Sequence, residues 1–316
     1  MISDPTTERP NHPTTHVLML FFDGLGLGAD DRVTNPMLTA PMPTLRDLCH
    51  GAIPVRGNGT YHSTQATLIP TDATLGVPGL PQSGTGQTTL FTGINAAQSI
   101  GEHSGPYPND ALRKILANGN IFSQLLAAKR TVAFANAYPP FFFDRLARGT
   151  ARRSATSLAA GAAGVRYRDI RDLRVGNAVS AFVTNDRWIE FGADVPLITA
   201  RDAGKNLARL VRENNFTLFE YFLTDAAGHK GDAERSAHVL AEVDEILHGA
   251  IEASNLDDTL IIVTSDHGNI EDLAAKGHTL NPVPTILIGA AQEKIAPRIH
   301  SLADIAPVVV DLILKN

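Results

Sequence analysis

Acidic residues stand where several buried strands are predicted to end. Three short apolar runs each lead into a carboxylate: 17–22 into Asp23, 216–224 into Asp225, and 259–264, by way of Ser265, into Asp266. In open α/β sheets, ligands bind beyond the carboxyl ends of the strands. Carboxylates gathered there repel one another strongly unless a cation lies between them. The pattern therefore predicts bound metal ions.

The spacing of nearby histidines supports this prediction. His229 follows Asp225 by four residues, His267 adjoins Asp266, and His278 follows after a short loop. Mixed imidazole and carboxylate ligands suit Zn²⁺ or Mn²⁺ better than an all-oxygen Mg²⁺ or Ca²⁺ site. Each residue alone has an ordinary structural explanation, since such aspartates often cap helices or form turns. The prediction rests on the ordered combination.

A candidate nucleophile, Ser83, lies in the glycine-rich segment 81–93, just before a helix expected to start at Gly86 or Gln87. A helix N-terminus favours a nearby negative charge, and a serine hydroxyl there is open to substrate. Thr85 is the alternative nucleophile. A plain glycine-rich turn with Ser83 as its cap is also open. A phosphate-binding Walker loop would need a Gly-Lys-Ser/Thr ending, which the segment lacks.

A second glycine cluster, Gly24, Gly26 and Gly28, could be taken for a dinucleotide-binding turn. Its spacing differs from that fingerprint, in which a glycine is followed by another after one residue and by a third after two more. Asp23 would also face the pyrophosphate. We therefore do not predict a dinucleotide cofactor.

Composition narrows the class of protein. The chain has 316 residues, 43% hydrophobic and 19% charged, with a formal net charge of -6. That balance argues against a nucleic-acid-binding surface. The single cysteine, Cys49, excludes an intrachain disulfide and a cysteine-based zinc cluster. The polar start of the chain lacks the apolar core of a signal peptide, and no apolar run is long enough to span a bilayer, so we expect a cytoplasmic protein without membrane contact.

Hydrophobic periodicity predicts alternating strands and helices. The predicted strands are 17–22, 131–136, 216–224, 259–264 and 285–288, and the predicted helices are 43–50, 121–129, 202–214, 232–254 and 302–314. This alternation is typical of a three-layer α/β/α sandwich around a mostly parallel central sheet. We expect residues 1–15 to be a loose tail, 16–139 and 201–316 to form the core, and 140–200 to form a small inserted cap.

Taken in order, these residues resemble the catalytic core of the alkaline phosphatase superfamily, and most closely that of cofactor-independent phosphoglycerate mutase. The matching elements are Asp23 after a strand, Ser83, Asp225-x-x-x-His229, Asp266-His267-Gly268-Asn269, and His278-Thr279 leading into Asn281-Pro282-Val283-Pro284. The resemblance covers roughly 16–135 and 205–316. It implies one metal ion held by Asp23, Ser83, Asp266 and His267. It implies a second held by Asp225, His229 and His278.

The resemblance leaves the reaction open among three possibilities. Ser83 would attack phosphorus to give a phosphoserine, which water hydrolyses in a phosphatase or phosphodiesterase and which a bound alcohol receives in a phosphomutase. A non-catalytic metal-binding relative is the third possibility. The insert is much shorter than that of the mutase, and this favours hydrolysis of a small phosphorylated substrate. Candidate substrate-binding residues in the cap are Arg145, Arg148, Arg152 and Arg153, because guanidinium groups bind phosphate bidentately.

Overall fold

A seven-stranded sheet forms the centre of the computed structural model, which describes residues 16–275 and 277–315. The tail expected at 1–15 lies outside the described residues. The strands are β1 (His16–Phe22), β2 (Tyr61–His62), β3 (Ala66–Thr71), β4 (Val132–Phe134), β5 (Phe216–Tyr221), β6 (Thr259–Thr264) and β7 (Val283–Gly289). Their spatial order is β2-β3-β7-β6-β1-β5-β4.

The sheet is mixed, and its parallel half carries the predicted metal ligands. β1 pairs in parallel with β5 and β6, and β4 pairs in parallel with β5. β7 runs antiparallel to β6, and β3 and β2 extend that edge with antiparallel pairings. The α/β class is confirmed, but the parallel arrangement holds in one half only. Because no crossover helix separates β6 from β7, the chain must turn back antiparallel.

Helices cover both faces of the sheet. They are α1 (Pro43–Leu48), α2 (Ser83–Thr92), α3 (Ala96–Ile100), α4 (Asp110–Asn118), α5 (Ile121–Ala127), α6 (Pro140–Ala147), α7 (Ala155–Ala162), α8 (Ile170–Arg174), α9 (Asp186–Glu190), α10 (Ala200–Arg212), α11 (Leu223–Gly228), α12 (Ala233–Ala253), α13 (Gln292–Ile295) and α14 (Leu302–Lys315). Short 3₁₀ turns occur at Pro36–Leu38 and Ala296–Arg298.

The two faces have separate hydrophobic cores because side chains alternate along each strand. On β1, Leu18 and Leu20 belong to the core beneath α10 and α12, whereas Met19 and Phe21 belong to the core beneath α2 and α14. All are fully buried. A strand buried on both faces reads as a continuous apolar run, which is why 17–22 could be predicted as a strand.

Two predicted boundaries near the site differ from the structure. The strand predicted at 216–224 ends at Tyr221, because Phe222 has helical backbone angles and starts the turn into α11. Asp225 therefore lies on a helix rather than at a strand end. The helix expected from Gly86 or Gln87 begins earlier, at Ser83 itself. The sequence also gave no indication of β2 and β3.

The range 140–200 holds four short helices, α6 to α9. Helix α7 packs into the core of the α2 face through Leu158 and Ala159, while Leu173 and Trp188 belong to a small cluster of their own. Part of this range is therefore built into the core. A separate cap with boundaries at 140 and 200 stays a prediction.

No helix among the described residues combines the length and the apolar character needed to cross a bilayer.

Candidate metal centre

The predicted metal ligands meet at the carboxyl ends of three adjacent strands. Asp23 directly follows β1, Asp266 follows β6, and Asp225 lies on α11 just after β5. Because β5, β1 and β6 are neighbours and run in parallel, their ends share one edge of the sheet. Residues separated by about 240 positions, such as Gly24 and Asp266, are thereby brought into hydrogen-bond contact.

The first group consists of Asp23, Asp266 and His267. One ligand atom from each lies within 4.8 Å of the others, and all three side chains are buried. His267 Nε2 lies 3.3 Å from Asp23 Oδ1 and 3.5 Å from Asp266 Oδ2. The hydroxyl of Ser83 lies 3.0 Å from the same nitrogen. The structure thus brings together the four residues predicted for one metal ion.

The second group consists of Asp225, His229 and His278, again with ligand atoms within 4.8 Å of one another. His229 Nε2 is 3.3 Å from Asp225 Oδ2, and His278 Nε2 is 3.6 Å from Asp225 Oδ1. The side chain of His229 is half-exposed, so this group lies nearer to solvent than the first. The metal-binding role of both groups stays a prediction.

The two groups are adjacent. The rings of His267 and His278 stack with centroids 3.7 Å apart and an interplanar angle of 17°. His278 Nδ1 lies 2.6 Å from the carbonyl oxygen of Pro81. Because a carbonyl only accepts, Nδ1 carries the proton and Nε2 keeps its lone pair for a ligand. A hydrogen bond from the ring nitrogen that does not bind the metal ion commonly orients a metal-binding histidine.

Asp23 is buried close to other carboxylates, and a bound cation would offset both its burial and their repulsion. Burial, the Asp266 carboxylate and Asp225 raise the pKa of Asp23 well above its ordinary range, although His267 opposes them. Asp23 Oδ1 is buried and lacks a hydrogen bond of good geometry, even with His267 Nε2 3.3 Å away. An oxygen without a partner beside two carboxylates and an imidazole fits a divalent cation.

The pKa values of the two stacked histidines shift in opposite directions. Burial disfavours the protonated ring of His267, but Asp266, Asp23 and Asp225 together raise its pKa to about 10. Burial and the neighbouring His267 lower the pKa of His278. In the absence of a cation, the proton on His267 therefore supplies the positive charge among the carboxylates.

Ser83 is the first residue of α2, which places its hydroxyl at the positive end of the helix dipole. Close packing fixes the N-terminus of α2. A Cβ atom on Gly84 would lie 2.5 Å from the carbonyl oxygen of Ser104, and one on Gly86 would lie 2.8 Å from that of Asp266. The alternative nucleophile, Thr85, is fully buried, and its hydroxyl donates to the carbonyl of Gln82. Ser83 is therefore the hydroxyl that faces the ligand groups.

Three side chains that orient the ligands or their loop received no role from the sequence, although one of them, Asn269, stands in the matching element that starts at Asp266. Gln87 Nε2 donates to Asp23 Oδ2 at 3.2 Å and to Asp266 Oδ2 at 3.1 Å. Asn269 Nδ2 donates to Asp225 Oδ1 at 2.6 Å. One available signal was the position of Gln87, four residues after Ser83 and so on the same face of a helix.

The third missed residue, Glu271, organises the loop after β6. Its buried carboxylate accepts hydrogen bonds from the backbone of Gly26 and Asn269 and from the side chains of Thr279 and Asn281. A side chain at Gly26 would overlap this carboxylate. Two members of the glycine cluster, Gly26 and Gly28, thus make room for Glu271. Gly24, with a φ of 69°, turns the chain after Asp23.

The predicted cap arginines lie outside the two groups described above. Arg145, Arg148 and Arg152 are exposed, and Arg153 is partly buried. The guanidinium of Arg145 lies 5.5 Å from the ring of Phe141, and Arg148 Nε donates to the carbonyl of Asp144 at 3.1 Å. These contacts are local to α6. Substrate binding by the four arginines stays a prediction.

Comparison with known proteins gives both sequence and structural relatives. The 2,3-bisphosphoglycerate-independent phosphoglycerate mutase of Desulforudis audaxviator (strain MP104C) is 32% identical over 124 residues, covering 37% of this chain and 24% of the relative. The mutase of Dinoroseobacter shibae (strain DSM 16493 / NCIMB 14021 / DFL 12) is 38% identical over 100 residues, covering 29% and 19%. The matched segments thus span about a quarter or less of the length of these curated relatives.

Two solved structures resemble the fold as a whole. The PH0037 protein from Pyrococcus horikoshii has a TM-score of 0.59 at 13% identity and covers 96% of this chain and 98% of its own. The alkaline phosphatase from the Antarctic bacterium TAB5 has a TM-score of 0.53 at 14% identity and covers 96% and 99%. At such identities the likeness concerns the fold alone.

The family model of the metalloenzyme superfamily matches residues 15–316, almost the whole chain. The kinship that the ordered motifs predicted is thereby confirmed, and this chain belongs to the metalloenzyme superfamily, with an alkaline phosphatase-like fold and sequence relatives among the cofactor-independent phosphoglycerate mutases.

Proposed function

We propose that the chain is a two-metal-dependent phosphoryl-transfer enzyme that hydrolyses a phosphomonoester or phosphodiester through a phosphoserine at Ser83. One observation carries the proposal: the Ser83 hydroxyl lies at a helix N-terminus, 3.0 Å from His267 and beside two groups of potential metal ligands. A nucleophile, cation-binding groups and a helix dipole that favours anions are the parts phosphoryl transfer requires.

Each ligand group would hold one divalent cation, either Zn²⁺ or Mn²⁺, because each mixes carboxylate and imidazole donors. Asp23, Ser83, Asp266 and His267 would hold one, and Asp225, His229 and His278 the other. Two such cations, when bound, neutralise phosphate oxygens and lower the pKa of the serine hydroxyl. Gln87 and Asn269 orient the carboxylates, so that the ligand atoms need little reorganisation.

The proposed reaction has two steps. The Ser83 Oγ forms a bond to phosphorus as the bond from phosphorus to the leaving oxygen breaks, and the leaving alcohol takes up the proton that Ser83 lost. A water oxygen then attacks the phosphorus on Ser83, the bond from phosphorus to Oγ breaks, and Ser83 regains a proton from that water. A phosphomonoester would thus release inorganic phosphate, and a phosphodiester would release a phosphomonoester. Fixed at the first position of α2, Ser83 stays aligned in both steps.

A phosphomutase is the second candidate, favoured by the identity to phosphoglycerate mutases over 124 residues. In that reaction the phosphoserine would return its phosphoryl group to a bound alcohol. The mutase requires water to be excluded from the phosphoserine, and the segment 140–200 offers only short helices for a lid. We therefore favour hydrolysis of a small phosphorylated molecule. A cytoplasmic location, without nucleic-acid or membrane partners, remains part of this prediction.

The test is a panel of phosphomonoesters and phosphodiesters, assayed with Zn²⁺ and with Mn²⁺, together with mass spectrometry of the protein during turnover. We expect release of phosphate or of the alcohol, and a gain of one phosphoryl group on the peptide that contains Ser83. Ser83→Ala should abolish both without altering thermal stability. Ser99→Ala, which changes an exposed serine on α3, should alter neither. Undiminished rates in Ser83→Ala would remove Ser83 from the mechanism.

A further inference from the structure

A cavity of about 510 Å³ opens at the end of the sheet opposite the candidate metal centre. Its walls come from α1, the turn between β2 and β3, the C-terminal half of α12, the residues before β6, the end of β7, and α13. Asp257 lines the cavity just before β6, whereas Asp266 follows the same strand, so the length of β6, about 20 Å, separates the cavity from the metal ligands. A cavity of this volume is typical of sites that bind small molecules.

Hydrogen bonds between elements hold the walls of this cavity in place. Gln292 on α13 donates from Nε2 to the carbonyl oxygen of Thr64 at 3.3 Å, and its Oε1 accepts from the hydroxyl of Thr67 at 3.2 Å. These bonds join α13 to the turn between β2 and β3. Asp244 on α12 accepts from the backbone N–H of Thr44 at 3.0 Å and so joins α12 to α1. A cavity whose walls are paired in this way needs little ordering when a ligand binds.

Part of the lining is aliphatic. Leu48 and Ile288 are buried members of the core beneath α10 and α12, and Ile251 and Leu256 pack against that core while remaining partly exposed. All four side chains line the cavity. Because apolar surface gains free energy when it leaves water, a ligand with a hydrocarbon body would be stabilised there.

The charged residues of the lining are acidic. Asp47, Glu252 and Asp257 line the cavity, and no lysine or arginine among the described residues does. Glu252 is already paired with Arg201 at 2.9 Å and with Lys205 at 3.2 Å. Within the part of the chain that the structure describes, Asp47 and Asp257 have no ion pair, and both are exposed. The charge of the lining therefore complements a cation.

We propose that this cavity binds a small organic cation, a primary ammonium group on a hydrocarbon body. The ammonium group, with three N–H donors, pairs with Asp47 or Asp257, and the hydrocarbon covers the aliphatic side chains of the lining. An organic anion would be repelled by the two unpaired carboxylates, and a bare metal ion would leave the aliphatic surface in water. The site lies at the other end of the sheet from Ser83, so this inference does not depend on the function proposed above.

Calorimetric titration of the full chain tests the proposal with probes of similar length and different charge: hexylammonium, 1-hexanol and hexanoate. Excess Mn²⁺ is present to compete for the carboxylates at the metal centre. We expect one hexylammonium to bind per chain, about tenfold more tightly than hexanol, because its ammonium group adds hydrogen bonds to a charged partner. Hexanoate should not bind, and methylammonium, which lacks the hydrocarbon body, should bind at least about tenfold more weakly than hexylammonium. Failure of hexylammonium to bind, or equal affinities for the probes, would overturn the proposal.

Variants locate the bound amine. Asp47→Asn combined with Asp257→Asn keeps the shape of the lining and removes its unpaired charges, so the affinity for hexylammonium should fall about tenfold while that for hexanol stays the same. Gln65→Trp adds bulk at an exposed lining position and should weaken the binding of both probes. The matched control is Asp144→Asn, an exposed aspartate on α6, which should change neither affinity. Melting temperatures check that each variant folds. An affinity for hexylammonium that is unchanged in both cavity variants would place the amine elsewhere and overturn the proposal.

Discussion

The side-chain amide of Asn269 donates a 2.6 Å hydrogen bond to Oδ1 of Asp225, and so fixes the carboxylate that stands between His229 and His278. The bond joins the loop after β6 to α11, across 44 residues of sequence. Asn269 touches none of the reacting atoms, but it determines which way Asp225 presents its oxygens. A group of this kind tunes metal affinity without being a ligand.

Removing this amide should therefore weaken one metal site selectively. We expect Asn269→Ala to lower the affinity for one of two bound metal ions by about 10-fold to 100-fold, since Asp225 becomes free to rotate. Metal content after dialysis against graded chelator concentrations measures the effect. Asn118→Ala, at the exposed end of α4, is the control. Equal loss of both metal ions, or of neither, would contradict the assigned role.

Metal binding should depend steeply on pH. In the metal-free protein, neighbouring carboxylates outweigh burial and raise the pKa of His267 to about 10. A cation that binds Nε2 must displace that proton, so the apparent affinity should rise about tenfold per pH unit between pH 7 and 9.

Calorimetry in two buffers of different ionisation enthalpy counts the protons released on metal binding. We expect at least one per protein at pH 7. His238→Ala removes an exposed histidine and should leave the count unchanged. A count of zero in the wild type would show that His267 is neutral before the metal ion arrives.

Glu271 should matter for stability as much as for metal binding. Its carboxylate is fully buried and accepts four hydrogen bonds, two of them from backbone N–H groups. Glu271→Ala leaves these donors without partners, and we expect the free energy of unfolding to fall by about 3 kcal/mol or more. Urea denaturation measures the loss. Glu293→Ala, at an exposed position of α13, should change it little, and an equal effect of the two substitutions would argue against the role of Glu271.

Glu220 should make the free energy of unfolding depend on pH, and a conservative substitution can isolate this contribution. It is buried on β5, where burial raises its pKa to about 7, and it accepts a 3.2 Å hydrogen bond from Ser154. A carboxyl whose pKa is higher in the folded state stabilises the protein fully below its unfolded pKa of 4.5. That contribution is lost as the pH rises through about 7.

Glu220→Gln keeps the shape and removes this titration. Relative to wild type, the metal-free variant should gain about 3 kcal/mol in its free energy of unfolding on going from pH 4.5 to pH 9. Chemical denaturation at the two pH values, in the presence of chelator, gives the difference. Glu102→Gln, in an exposed loop, should show no such gain. A pH-independent difference between wild type and Glu220→Gln would mean that Glu220 does not titrate in this range.

Several features followed from the sequence because they depend on neighbouring residues. The run before Asp23 predicted β1, since a strand buried on both faces needs continuous apolar side chains. The period of 232–254 predicted α12, which spans Ala233–Ala253. The side-by-side Asp266 and His267, and the one-turn spacing of Asp225 and His229, were visible as local patterns. The family followed from the order of those patterns.

Other features were decided only by the tertiary structure, because they join segments far apart in the chain. Ser83 and His267 are 184 residues apart, and Gln87 bridges Asp23 and Asp266 across 64 and 179 residues. No local periodicity encodes such distances; they follow from the order β6-β1-β5 in the sheet and from the packing of α2. The antiparallel pairing of β7 with β6 and the close approach of Gly26 to Glu271 likewise depend on how distant segments of the chain pack together. The sequence by itself supplied the chemical groups and the class of protein, and the packing of the sheet and α2 determined which of those groups meet.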